Sequence, residues 1–318
     1  RLDLLWRHLG AKKMHFEAAQ KLLEIAVLAT PAISLEKKFG YLSKAKIHAE
    51  TSVGSEDYSN SSELLSGLRD RIRVANVQQA IFRALESLKE KTQKRVDRNE
   101  REAADKRKKL DDLEERLHEL NTNLYSVSDL YNIYARPFKL YECQLMIFEC
   151  SNYDDLKLIE KVWEKILGKK QIEDFVFETV SELGKRFYPS DLVFPLRLIC
   201  QKLHEKRFLP AKVVNVMIDD VQVPYHVLFF DVYHLFLSRN RQFNLQQQDV
   251  YDATDVLLQR WAEGVRSGNA SIRDREASVL RKVVECLRAL SAQEYFGNFL
   301  QEFEDLVNLT HIHRPYLK

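Results

Sequence analysis

Glycine and proline are scarce in this 318-residue chain, at 9 and 7 residues. An all-β protein needs many turns and the residues that make them, so this shortage excludes that class and fits long helices joined by short loops. No run of about 18 apolar residues occurs, which excludes a membrane-spanning helix. The four cysteines, Cys143, Cys150, Cys200 and Cys286, form no CxxC pair. Cys143 and Cys150 would stand about 10.5 Å apart along one helix, too far for a disulfide. Free thiols of this kind fit the cytosol or nucleus. An excess of one charge is missing too: 49 basic residues against 47 acidic ones give a net charge of +2. A dedicated nucleic-acid binder carries a concentrated basic surface, and this balance leaves none.

The signatures of catalysis are absent as well. There is no GxSxG, no HExxH, no phosphate-binding glycine loop and no dinucleotide fingerprint. His226 and His234 are too widely spaced for two metal ligands on one helix face, and His311 and His313 fit packing or surface roles. The carboxylate pairs Asp154-Asp155 and Asp219-Asp220 fall at expected helix ends, where capping accounts for them. No catalytic residue, metal ligand, cofactor or small-molecule substrate is therefore expected. Starting at Arg1 and running straight into a helical pattern, the chain reads as a fragment of a larger protein.

What is present is helical periodicity in succession. Phe16, Ala19, Leu22, Leu23 and Ala26 recur at helical spacing, with Thr30-Pro31 as the stop. Ser34 is placed to cap the next helix, with Glu36 in its first turn and Phe39, Leu42 and Ala45 continuing it. Residues 50–62 are polar and serine-rich and predict a mobile loop. Helices are predicted over Leu64 to Leu88, Leu124 to Tyr134, Leu140 to Cys150, Phe175 to Phe187, Asp191 to Glu205, Val223 to Leu237, Gln248 to Trp261, Ile272 to Leu290 and Tyr295 to Leu309. Between them, Asp154 or Asp155 should cap a helix carrying Leu156, Ile159, Trp163, Ile166 and Leu167 on one stripe, ended by Gly168. The fold class is all-α: an irregular α-solenoid of stacked antiparallel helix pairs spanning 1–318.

Residues 89–119 are the most charged part, a helical segment with eleven basic and ten acidic residues. Within it and just beyond, Leu110, Leu113, Leu117, Leu120 and Leu124 step by three and four, a seam for one partner helix. Lys106 to Lys109 form a basic cluster, but Asp105, Asp111 and Asp112 neutralise its field, so it reads as a solvated helix face. Aromatic residues crowd two places: Tyr131, Tyr134, Phe138 and Tyr141 around Pro137, and Tyr225, Phe229, Phe230, Tyr233 and Phe236 farther on. Such residues build helical cores, or anchor a partner's peptide in a groove. Tyr225, Phe229, Phe230 and Tyr233 are the candidate partner-binding surface.

Several blocks carry a family likeness. Leu130-Tyr131-Asn132 and the run Ala135-Arg136-Pro137-Phe138-Lys139-Leu140-Tyr141-Glu142-Cys143-Gln144-Leu145 resemble a signature of the large non-FG scaffold nucleoporins of the inner ring, in their C-terminal region. The helix from Leu158 to Leu167 is similar to the segment after that signature. So are Val213 to Ile218, Val223-Pro224-Tyr225 and Val232 to Phe236 to the next block, and Phe16 to Ala19, Ile33 to Glu36 and Tyr41 to Ala45 to the N-terminal part. The charged run 89–119 and Gln222, where the family often has glycine, depart from the pattern.

The resemblance implies a C-terminal α-solenoid from a protein that also carries an N-terminal β-propeller. It implies a structural scaffold of the nuclear pore complex at the nuclear envelope, and no enzyme. Its partners would be short linear segments of linker nucleoporins and other inner-ring nucleoporins, with no direct nucleic-acid contact. Any membrane contact would be made through the N-terminal part. The alternative of another class is a membrane-trafficking or coat adaptor solenoid binding cargo or lipid, against which stands the lack of a basic amphipathic helix.

Overall fold

The structure, a computed structural model, describes residues 2–28, 30, 33–52, 58–96, 103–168, 172–243, 245–290 and 295–312. Among them there is no β-strand. The chain divides into two compact units, Arg1–Asp154 and Asp155–Lys318.

In the first unit α1 (Leu2–Ala11), α2 (His15–Val27) and α3 (Leu35–Ser52) pack in succession on α4 (Tyr58–Val96), which carries α5 (Ala103–Thr122) on its far half. Small residues set the spacing: Ala19, Ala26, Ala45, Ala49 and Ala75 share one core with Leu22, Leu42, Leu65 and Leu68. Alanine lets helix axes approach closely while leucine fills what remains. Ser34 caps α3 as expected, its hydroxyl accepting from Lys37 N at 3.4 Å. The predicted loop is largely helix: residues 50–52 complete α3 and 58–62 open α4, while 53–57 lie outside the described residues. Of the charged run, 89–96 end α4 and 103–119 lie in α5, with 97–102 outside the described residues.

The leucine seam of α5 meets α4. Leu110, Leu113 and Leu120 are buried, Leu117 and Leu124 half-buried. Lys89 pairs with Glu114 at 2.7 Å, and Gln78, fully buried, lies opposite the end of α5, so the two helices run antiparallel. The Gln78 amide donates to Leu120 O at 2.7 Å and Asn123 O at 2.6 Å and accepts from Tyr125 N at 3.0 Å. One side chain thus satisfies the carbonyls that the end of α5 leaves open. The unit closes with α6 (Val127–Asp129), a π turn over Leu130–Ala135, and α7 (Tyr141–Ser151). The helix predicted from Leu124 begins later because Ser126 caps it, accepting from Asp129 N at 3.1 Å.

The second unit holds α8 (Leu156–Leu167), α9 (Glu173–Phe187), α10 (Leu196–Glu205) and α11 (Pro210–Asn215), the last running on as a π turn to Asp220. Then come α12 (Tyr225–Leu228), a π turn over Phe229–Tyr233, α13 (His234–Ser238), α14 (Asn240–Phe243), α15 (Gln247–Ser267), a 3₁₀ turn at Arg273–Arg275, α16 (Ala277–Leu290) and α17 (Gly297–Ile312). Asp155 caps α8, accepting from Leu158 N at 3.2 Å. The helix expected from Asp191 starts only at Leu196, because Pro195 disfavours helical geometry in the residue before it. Likewise Ile272 to Leu290 is not one helix: Glu276 is extended and separates the 3₁₀ turn from α16.

Two tryptophans organise this unit. Trp163 is fully buried, with its indole donating to Val193 O at 2.8 Å and its ring set edge-on to Phe194 at 5.5 Å. Trp261 is equally buried, meets Phe229 at 6.1 Å and Phe303 at 5.4 Å, and donates to Asp274 O at 3.0 Å.

Candidate functional site

The start of α12 is fixed from a distance. The Asp274 side chain, 1% exposed, accepts from the backbone N of His226 at 2.8 Å and from its ring Nδ1 at 2.7 Å. A carboxylate at a helix N-terminus satisfies open amides and meets the positive end of the dipole. From that anchor α12, the π turn and α13 run as one continuous segment. The π turn holds an extra residue per turn and re-aims the side chains beyond it. Leu228, Phe229, Val232, Tyr233 and Phe236 turn into the core, leaving Val227, Asp231 and Leu235 on another face.

That other face is one wall of a groove of about 560 Å³, within the size range of ligand sites. The first turn of α8 supplies a second wall, with Ile159 fully buried at the floor and Leu156 54% exposed at the lip. Pro195, Leu196 and Leu198 of α10 and its approach add to the apolar lining, as does Phe243 of α14. Four charged residues stand around it, all exposed: Glu160, Asp191, Asp231 and Arg197. Among the described residues none of their side chains forms an ion pair or hydrogen bond. Tyr188 feels this rim: burial raises its hydroxyl pKa first, and the Asp191 and Asp231 charges add to the rise.

Two other cavities of this unit have polar groups that answer one another. One of about 520 Å³ is lined by Tyr225, Asp219 and Arg260. There Arg260 grips Asp219 at 2.5 and 2.9 Å and Asn215 at 2.7 Å. The other, of about 810 Å³, is lined by Glu164, Lys202 and Lys206. Lys202 bridges Glu164 at 3.4 Å and Glu205 at 3.1 Å, and Lys206 donates to Gly168 O. A ligand's polar groups in either cavity would compete with these pairs for the same partners, whereas the rim charges of the groove beside Leu156 have none among the described residues.

The structure corrects the aromatic surface read from the sequence. Phe229 and Tyr233 are fully buried core residues. Tyr233 is bonded through its hydroxyl to His204 Nε2 at 3.1 Å. Phe230 is half-buried under the Lys282 ammonium, 5.1 Å from its ring centre, and Tyr225 is half-buried and stacked on Trp261 at 6.3 Å. The four share no single face. Leu156, placed on the buried stripe of α8, is exposed instead. One signal did point to the open face: Asp231 is the only acidic residue in the apolar run from Val223 to Leu237, and a charge inside such a run marks its wet side.

Among the described residues no group of three or more His, Cys, Asp or Glu side chains is arranged to hold a metal ion. No helix of the described residues is long and apolar enough to cross a membrane.

Known proteins resemble this chain in both sequence and fold. Nuclear pore complex protein Nup154 of Drosophila melanogaster is 29% identical over 234 residues, covering 69% of this chain and 16% of that protein. Nucleoporin NUP170 of Saccharomyces cerevisiae is 22% identical over 252 residues, covering 73% of this chain and 15% of that protein. The chain thus spans about a sixth of the length of these relatives. Among solved structures, a mutant of the Chaetomium thermophilum Nup170 CTD superposes with a TM-score of 0.67 at 16% identity, covering 98% of this chain and 63% of that one. The Nup170 CTD in its complex with Nup145N gives a TM-score of 0.64 at 18% identity, covering 96% of this chain and 62% of that one. The shared fold is all-helical, an irregular α-solenoid. The family of non-repetitive/WGA-negative nucleoporin C-terminal regions matches residues 1–297, and the chain belongs to it.

Proposed function

We propose that this region is a structural scaffold element of the pore's inner ring, and that the groove between α8, α10 and α12–α13 holds a short apolar segment of a linker nucleoporin. Membership of a nucleoporin family makes the chain a nuclear pore component at the nuclear envelope. The observation that carries the finer reading is the groove: an apolar floor with an exposed leucine at its lip and rim charges that have no partner among the described residues. A Nup170 CTD of the same fold has been crystallised with Nup145N, which supports a linear partner of this kind. Recognition would come from one or two apolar side chains seated against Ile159, Leu196 and Leu235, ringed by weaker contacts. A disordered segment loses entropy on ordering, so one site grips modestly and several sites in the assembly add avidity.

The test is calorimetric titration of the 318-residue chain with peptides tiled across linker nucleoporins. One tile is expected to bind at micromolar strength or better, to keep binding in high salt, and to lose binding to the Leu156→Asp and Leu235→Gln variants. Absence of binding by every tile, or binding that ignores both substitutions, overturns the assignment of the groove.

A further inference from the structure

The geometry points to a charge filter at this groove: we infer that it selects an apolar segment flanked by lysine or arginine, an inference that rests on the groove being a linker-segment site. Glu160 stands on α8, Asp191 ahead of α10 and Asp231 on the π turn between α12 and α13, so the carboxylates come from three separate stretches of chain around one apolar floor. Among the described residues that line the groove, Arg197 is the one basic side chain. The acidic groups that line the two other cavities or stand near them are answered: Asp219 by Arg260 at 2.5 Å, Glu173 by Lys212 at 3.2 Å, Glu164 by Lys202 at 3.4 Å and Asp220 by Lys185 at 3.6 Å. At the rim of the groove Glu160, Asp191 and Asp231 have no such partner among the described residues, and they are gathered around one apolar floor. Burial raises the pKa of the Tyr188 hydroxyl first, and the charges of Asp191, Asp231 and Asp274 add to the rise.

The physical consequence is a division of labour. Apolar contacts with the floor hold the segment and set how slowly it leaves. The carboxylates steer basic flanks toward the groove and repel acidic ones, which acts on arrival and on choice of partner. Because the three carboxylates are exposed, each contributes little alone and salt weakens all of them. Replacing all three should therefore change selectivity strongly and affinity by about tenfold.

A random twelve-residue peptide display library, selected in parallel on the full chain and on its Glu160→Gln/Asp191→Asn/Asp231→Asn variant, tests this. The expected result is an apolar centre in both selections, with Lys and Arg enriched in the flanks only for the unaltered chain. A basic-flanked peptide so obtained should bind the triple variant about tenfold more weakly, the gap closing as salt rises. Flanks without a basic excess, or equal affinity of that peptide for both proteins, overturn the charge filter while leaving the groove assignment standing. If the selected peptides bind the Leu156→Asp chain as well as the unaltered one, or if no peptide is enriched, the groove reading fails and the filter falls with it. Matching thermal melts of the two proteins exclude a folding defect as the cause.

Discussion

Gly184 on α9 faces Val221 so closely that a Cβ on the glycine would lie 2.4 Å from one Val221 methyl and 2.8 Å from the other. Val221 is 4% exposed and its backbone N–H donates to Val216 O at 3.0 Å, so neither its side chain nor its backbone has room to retreat. Two opposed effects meet in Gly184→Ala. Alanine is better than glycine inside a helix by about 0.5–1 kcal/mol, while overpacking costs about 1–3 kcal/mol. A stiff, buried, β-branched neighbour puts the clash toward its upper end. The expected outcome is a net loss of about 1–2 kcal/mol in denaturant unfolding, largely reversed by adding Val221→Ala. Additivity of the two substitutions would show that the contact does not limit the packing of α9 on the turn after α11.

His204 is 3% exposed and its ring Nε2 lies 3.1 Å from the Tyr233 hydroxyl. Burial lowers its pKa from 6.5 to about 4. The folded state therefore binds this proton less readily than the unfolded chain does. Stability should be full above the unfolded pKa of 6.5 and fall as the pH drops from there to about 4. The integrated loss is on the order of 3 kcal/mol from this group alone. His48 and His234, both lowered mainly by burial, act in the same direction. His204→Phe should flatten the acid limb of a stability-against-pH curve measured by denaturant titration. An unchanged acid limb would remove His204 as its source.

Substitutions in the second aromatic run separate core from surface. Phe229→Ala removes a ring that touches Trp261 and is fully buried, and should cost about 3–5 kcal/mol. Phe230→Ala removes a half-buried ring beneath the Lys282 ammonium and should cost less than half of that. A peptide partner, if the groove beside Leu156 holds it, should bind the Phe230→Ala chain as it binds the unaltered one. Equal costs for the two substitutions would mean that the π turn does not divide the run as described.

Periodicity encodes local structure, and that sets how much of the fold was legible in the sequence. The α8 stripe through Ile159, Trp163 and Ile166, the Asp155 and Ser34 caps and the leucine seam of α5 are local patterns, and they appear in the fold where the spacing put them. The helix through residues 225–238 is different. Its aromatic residues looked equally available on every side, and a π turn at 229–233 decides which side is wet. The segment meets tertiary partners dozens of residues away, Asp274 at His226 and Trp261 at Phe229, which no local window reports. The late start of α10 was legible in principle, since Pro195 stands at its threshold. The groove itself was not, because its walls come from three separate stretches of chain.

One polar side chain, Gln78, ties the end of α5 to α4. It is fully buried, and its amide serves the carbonyls of Leu120 and Asn123 and the N–H of Tyr125. Gln78→Leu keeps the volume and adds apolar surface, worth about 1 kcal/mol at most. Against that, it leaves three backbone groups without their partner, each costing about 1–3 kcal/mol where water cannot reach it. The lost hydrogen bonds outweigh the added apolar burial, and a loss of about 3 kcal/mol is expected. Because the damage is at the end of α5, amide hydrogen exchange should rise first around Leu120 to Tyr125, ahead of the core formed by α2 and α3. Uniform loss of protection across the unit would mean that α5 and the α2–α3 core unfold together, and that Gln78 stabilises the whole unit rather than one helix end.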